Sequence, residues 1–182
     1  MTGLAYRQTF ADIQPTALSA VVQLRQPVHQ QRELQLNEEQ HHQLAMHIAN
    51  VEKGGVSILV LVEFSQSDIA LLANQLCEAL HKALWLVNCQ GLQKEYIGET
   101  EKNIARLIAD AQRQHTMLIF DHASHLFNPR NLAGYAHLDI DLLIKFCHQQ
   151  AGSYVLNLSQ QDSNSLIALK ARGLPIFSHL IR

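Results

Sequence analysis

The chain has little of what marks a secreted, membrane-spanning or nucleic-acid-binding protein. Its 182 residues contain three cysteines, Cys77, Cys89 and Cys147, an odd number set far apart with no Cys-x-x-Cys pair. That count excludes a disulfide framework and predicts free thiols in a reducing compartment, the cytoplasm. No basic segment followed by an apolar run opens the sequence, so no signal peptide is expected. No apolar stretch approaches the roughly 20 residues that cross a bilayer, so no membrane association is expected. Charge is scarce: Asp, Glu, Lys and Arg make up 16% of the chain, the formal net charge is −2, and no basic block occurs. Nucleic-acid binding needs clustered Lys and Arg, so nucleic acid is not an expected partner. What is abundant is apolar side chain, at 47%, the composition of an ordered domain with its own core.

Residues 1–36 read as an N-terminal extension, punctuated by Pro15 and Pro27, with a short helix over Thr16 to Arg25. From Asn37 to Arg182 the pattern is that of a core domain. Asn37 is placed to cap a helix on which Leu44, Ile48 and Val51 recur at helical spacing, and Gly54-Gly55 ends it. Val56 to Val62 is a nearly continuous apolar run, as in a strand buried on both faces. Helix is expected from Ile69 to Leu80, Thr100 to Gln114 and Leu138 to Gln149. Strand is expected at Leu84–Val87, Thr116–Phe120, Tyr154–Leu158 and Ile176–Ile181. Strands alternating with helices imply parallel pairing and a three-layer α/β/α sandwich with a central parallel sheet of about five strands. In such sheets ligands sit beyond the carboxyl ends of the strands, here Glu63, Asn88, Asp121 and Ser159.

Three features stand in family order along this core. Residues 94–103 read Lys-Glu-Tyr-Ile-Gly-Glu-Thr-Glu-Lys-Asn; Met117 to Asp121 is an apolar strand closing on a carboxylate; Tyr135 to Asp139 leads into a helix. On these motifs the chain resembles, from about Leu59 to Leu180, the core of bacterial AAA ATPases, members of the P-loop NTPase fold. The resemblance ends near Arg182, where the family's helical lid begins, so a core without a C-terminal lid is expected.

The resemblance also implies where catalytic parts would lie. A Walker A loop, Gly-x-x-x-x-Gly-Lys-Thr, cradles phosphate on backbone N–H groups, contacts it with Lys and holds Mg²⁺ with a hydroxyl. In register, its two glycines fall on Glu63 and Asp68, its Lys on Ile69 and its Thr on Ala70. The Walker B pair falls on Asp121 and His122, so the water-orienting Glu is replaced. The sensor Asn falls on Ser159, with Asn157 two residues away. The arginine finger falls at Lys170, with Arg172 close by. Charge-assisted hydrogen bonds are worth about 1.5–3 kcal/mol each. A loss of about 4 kcal/mol turns micromolar into millimolar binding. No ATP cofactor and no hydrolysis are therefore expected, the alternative being weak ATP and Mg²⁺ binding through Asp121 with Arg172 or Lys94 as clamp.

The segment that keeps its family form is Lys94, Tyr96, Ile97, Gly98 and Glu99, which matches the pore loop that grips a polypeptide in hexameric relatives. It is the candidate partner-binding surface of a catalytically inactive AAA-like domain, a regulator, adaptor or scaffold. The partners this implies are proteins, an active AAA ATPase or a contractile-injection assembly among them. Against each sharp reading stands a plain one. Tyr96 is also explained as a packed loop aromatic, and Thr100 as a helix cap. Asp121, His122, His125 and His115 suggest a metal site only if three or more converge; solvated histidines are the plainer reading, and no metal is expected. Ser124, His125 and Asp121 lack a nucleophile elbow. Glu63 and Asp68 read as solvated loop carboxylates, His41, His42 and His47 as surface residues, and Cys77 and Cys147 as core.

Overall fold

The computed structural model describes residues 22–25, 34–92, 99–127 and 138–178. In chain order the elements are β1 (Val22–Arg25), α1 (Glu38–Glu52), β2 (Val56–Val62), α2 (Gln66–Leu80), β3 (Leu84–Asn88), α3 (Glu99–Arg113), β4 (Met117–Asp121), the single-turn α4 (Ser124–Phe127), α5 (Ile140–His148), β5 (Gly152–Leu158), α6 (Ser163–Ala171) and β6 (Ile176–Ser178). One six-stranded sheet has the order β1-β3-β4-β5-β2-β6. The strands β2 to β6 are mutually parallel, and β1 joins the edge antiparallel to β3.

Alternation along each buried strand builds two cores. Leu59 and Leu61 of β2, with Ile119 of β4 and Val155 of β5, pack beneath α1 and α2 through Leu44, Val51, Ile69, Leu72 and Leu76. Ile58 and Val60, with Leu118, Phe120 and Leu156, face the opposite way, against Ile104 and Leu107 of α3, Leu143 of α5 and Leu169 of α6. Because both faces are covered, the strands carry apolar side chains at nearly every position. Each fully buried Leu or Ile stabilises the fold by about 1.5–3 kcal/mol relative to exposure. The result is a mostly parallel sheet with helices on both faces.

The connections place the site. From β2 the chain runs through α2 along the first face, past β5 and β4, to β3. Through α3, α5 and α6 it returns along the second face, ending at β6 on the far side of β2. The connections leaving the neighbouring carboxyl ends of β2 and β5 thus go to opposite faces, which opens a crevice above them.

Several expectations change. Val22–Arg25 is a strand rather than the end of a helix, paired from Val22 opposite Val87 to Arg25 opposite Leu84. Part of the segment ahead of Asn37 is therefore built into the sheet, while the rest of Thr16–Arg25 lies outside the described residues. Helix α2 begins at Gln66, three residues before Ile69, because Ser65 and Asp68 form a capping box. Asp68 is therefore helical and not part of a loop. Thr100 lies buried inside α3 and does not stand ahead of it. Helix α6, capped by Asp162, was not anticipated. The expected strand beyond Ser178 falls outside the described residues. Asn37 caps α1 as expected, with Gln40 completing the box.

Candidate functional site

The crevice is a cavity of about 620 Å³ lined by Glu63, Phe64, His122, Asn157 and the turn from Ser159 to Asp162, among others. Its position follows from register. Leu61 pairs with Asn157, and Phe120 pairs with Leu156. Asp121 and Asn157 therefore emerge side by side, next to the end of β2.

Asp121 is buried, and its hydrogen bonds come from two side-chain amides and a backbone N–H. Its Oδ1 accepts from Asn157 Nδ2 at 2.9 Å and from the His122 N–H at 2.9 Å. Its Oδ2 accepts from Gln66 Nε2, and His122 Nε2 stands 3.5 Å from the same oxygen. A buried carboxylate is tolerated when its lone pairs are filled in this way. Asn157 completes the knot: its Nδ2 donates to the Phe64 carbonyl at 3.2 Å and its Oδ1 accepts from the Phe64 N–H at 3.3 Å. The side-chain amide thereby extends the β2–β5 ladder past the last strand residue.

The connection from β2 to α2 is Glu63-Phe64-Ser65 and nothing more. A phosphate-binding loop needs about six residues before its Lys, with N–H groups pointing at the ligand. Here all three N–H groups are taken. Glu63 donates to Leu158 O at 3.0 Å, Phe64 to Asn157, and Ser65 to Asp68 Oδ2 at 3.3 Å. The Asp68 carboxylate, bonded also to Ser65 Oγ at 2.6 Å, occupies the positive end of α2. Glu63 takes the left-handed conformation, φ 60°, which costs a non-glycine residue about 1 kcal/mol. That bend carries its carboxylate to the Gln160 N–H at 2.7 Å and Ser159 Oγ at 3.3 Å. Neither Glu63 nor Asp68 is a free loop carboxylate: each is hydrogen-bonded within the fold. Ile69 is wholly buried, and Ala70 follows it in the first turn of α2.

Other candidates disperse. Ser159 donates its N–H to Ser124 Oγ at 2.9 Å and sits beyond Asn157, which is the residue that reaches Asp121. Arg172 is held by Asp141 at 2.5 Å and by the Ala168 carbonyl, so it ties α6 to α5. Lys170 lines a different cleft, beside α1 and β6. Lys94, Tyr96, Ile97 and Gly98 lie outside the described residues, and Glu99 is the exposed first residue of α3. His122 and His125 stack edge to face with centroids 6.3 Å apart. His115 precedes β4, at the opposite end of the sheet. Among the described residues no group of three or more His, Cys, Asp and Glu converges on a metal position. Cys77 and Cys147 are core residues, as expected, and burial pushes each thiol up to about 12. Burial, with the Asp121 charge second, pushes Cys89 well above its usual range. None is an activated nucleophile. His47 corrects its reading as a surface residue: it is 2% exposed and bonded through Nε2 to Ser153 Oγ at 2.7 Å.

Gln66, Gln160 and the Phe64 backbone escaped the sequence reading. Their partners lie 55, 97 and 93 residues away, and no local pattern announces them. Among the described residues no Lys or Arg lines the cavity. The fold and this site define an α/β domain with a strand-end crevice whose lining polar groups are largely bonded to one another. No protein-family model matches the chain, and no curated protein matches it. No described helix is long and apolar enough to cross a membrane.

Proposed function

We propose that this chain is a catalytically inactive AAA-like domain, a pseudo-ATPase that works through protein contacts as a regulator, adaptor or scaffold. One observation carries the reading: every N–H of the β2–α2 connection is already bonded within the protein. The backbone donors that a triphosphate would need are spent on Leu158, Asn157 and Asp68. Asp121, the residue in the Mg²⁺ position of the resemblance, is filled by amides from Gln66 and Asn157. A Mg²⁺ bound at Oδ2 would compete with the Gln66 amide, and one bound at Oδ1 with Asn157 and the His122 N–H. Glu63 then adds a carboxylate where phosphate charge would rest, and like charges at about 4 Å repel by several kcal/mol at intermediate dielectric.

The strand order supports the same reading, because the β2/β5 crevice is where a nucleotide would sit in a parallel α/β sheet. The candidate partner surface remains the segment from Lys94 to Glu99. An active AAA ATPase or a contractile-injection assembly is the partner class that the sequence resemblance implies. The second reading, an ATPase with unconventional ligation, rests on Asp121 with Lys94, which lies outside the described residues, since Arg172 is held by Asp141. Titration calorimetry with MgATP separates the two. The inactive reading expects no heat of binding up to millimolar nucleotide, and a micromolar dissociation constant would overturn it.

A further inference from the structure

The second large cleft lies away from the crevice, between α1 and the outer edge of β6, with a volume of about 1000 Å³. Parallel pairing fixes which way the β6 backbone points. The Val60 N–H donates to the Pro175 carbonyl at 3.0 Å, and Val60 stands opposite Ile176. In a parallel ladder the residue opposite the bonded one turns its own N–H and C=O outward. Ile176 therefore presents both groups to the cleft. Ser178, two residues on, points the same way, and its carbonyl accepts from Gln40 Nε2 at 3.2 Å, which closes that end. Among the described residues nothing pairs with the outward N–H and C=O of Ile176.

The walls add apolar surface and charge. Leu174, Pro175 and the exposed Met46 supply the first. Lys53, at the end of α1, and Lys170, on α6, supply the second; both are exposed. Glu39, the one acidic residue among the described wall residues, accepts from Gln43 Nε2 at 3.2 Å and leaves the two lysines in excess.

We propose that this cleft takes up an extended polypeptide segment of a partner protein, one that bears acidic side chains, by strand addition to β6. Main-chain bonds to an open edge give affinity, and flanking charges choose the sequence. The two lysines at the rim favour an acidic segment over a basic one. This surface is independent of the nucleotide crevice, so it stands whether or not MgATP binds.

The test uses the full chain and two fluorescein-labelled octapeptides of alternating valine and threonine, one flanked by aspartates and the other by lysines. Fluorescence anisotropy reads binding, and amide hydrogen exchange reads its place. The expected result is saturable binding of the acidic peptide alone, with slowed exchange at Ile176 and Ser178. The double variant Lys53→Glu, Lys170→Glu should weaken it about fivefold to tenfold, the sum of two exposed charge reversals. Ile176→Pro removes an N–H that β2 does not use, so it should abolish binding while circular dichroism stays unchanged. Equal binding of both peptides, binding of neither, protection elsewhere, or a stable dimer of this chain that protects β6 would each overturn the proposal.

Discussion

His47 illustrates how a single side chain sets a solution property. Its ring is buried against Ser153, and desolvation lowers its pKa to about 4 from the ordinary 6.5. The folded state therefore resists protonation more than the unfolded state does. Between pH 6.5 and 4 the unfolded chain binds the extra proton, so stability is greatest above 6.5 and falls as pH drops through that window. The full effect, at about 1.4 kcal/mol per pH unit, is on the order of 3 to 4 kcal/mol. Urea denaturation at pH 7, 5.5 and 4.5 should show that loss in the wild type. His47→Gln should flatten it, although carboxylates still contribute at the acid end. Equal slopes for the two proteins would remove His47 as the cause. Asn157 shows the same dependence on distant partners: one amide satisfies Phe64 in β2's extension and Asp121 in β4.

At the scale of elements, local sequence and long-range contact divide the work. Helix α1 was legible because Asn37 stands ahead of Leu44, Ile48 and Val51 at helical spacing, and β2 because its apolar run is nearly continuous. Strand β1 was not, since Val-Gln-Leu-Arg alternates apolar and polar over four residues only, too short a run to outweigh a helix reading without its pairing to β3. Helix α6 was missed because Leu166, Ile167, Ala168 and Leu169 run consecutively and show no helical stripe; Ile167 stays 67% exposed. Helix α2 began early because its box uses Asp68 where Glu or Gln is usual. The strand-end carboxylates Glu63 and Asp121 were visible in the sequence, but the bonds that occupy them span 36 to 97 residues and were not. The cap of α2 is testable by itself. Ser65→Ala removes the Oγ that accepts from the Asp68 N–H at 3.2 Å and should cost about 1 kcal/mol. The readout is a lower urea midpoint with an unchanged m-value. A midpoint equal to wild type would mean that the box does not hold α2.

For the whole molecule, crevice and core are one structure, and this decides what installing a phosphate-binding signature there would do. The combined variant Glu63→Gly, Asp68→Gly, Ile69→Lys, Ala70→Thr writes the Walker A signature in at the positions that the sequence resemblance gives it. Three of its changes collide with the fold. Ile69 is wholly buried between α2 and the sheet, so an ammonium there is either desolvated or drags α2 outward, a cost of several kcal/mol. Asp68→Gly removes one half of the cap and puts glycine in a first turn, adding about 1 kcal/mol. Glu63→Gly relieves the left-handed strain but frees the Gln160 N–H and Ser159 Oγ. A domain of this size is stable by about 5–15 kcal/mol, so the variant should lose much of its margin while the three-residue loop still leaves no cradle. Urea denaturation should place its midpoint well below wild type, and calorimetry should find no MgATP binding at millimolar concentration. A variant that keeps the wild-type midpoint and binds MgATP at micromolar concentration would show that the crevice is only masked, and that the closed network around Asp121 opens at little cost.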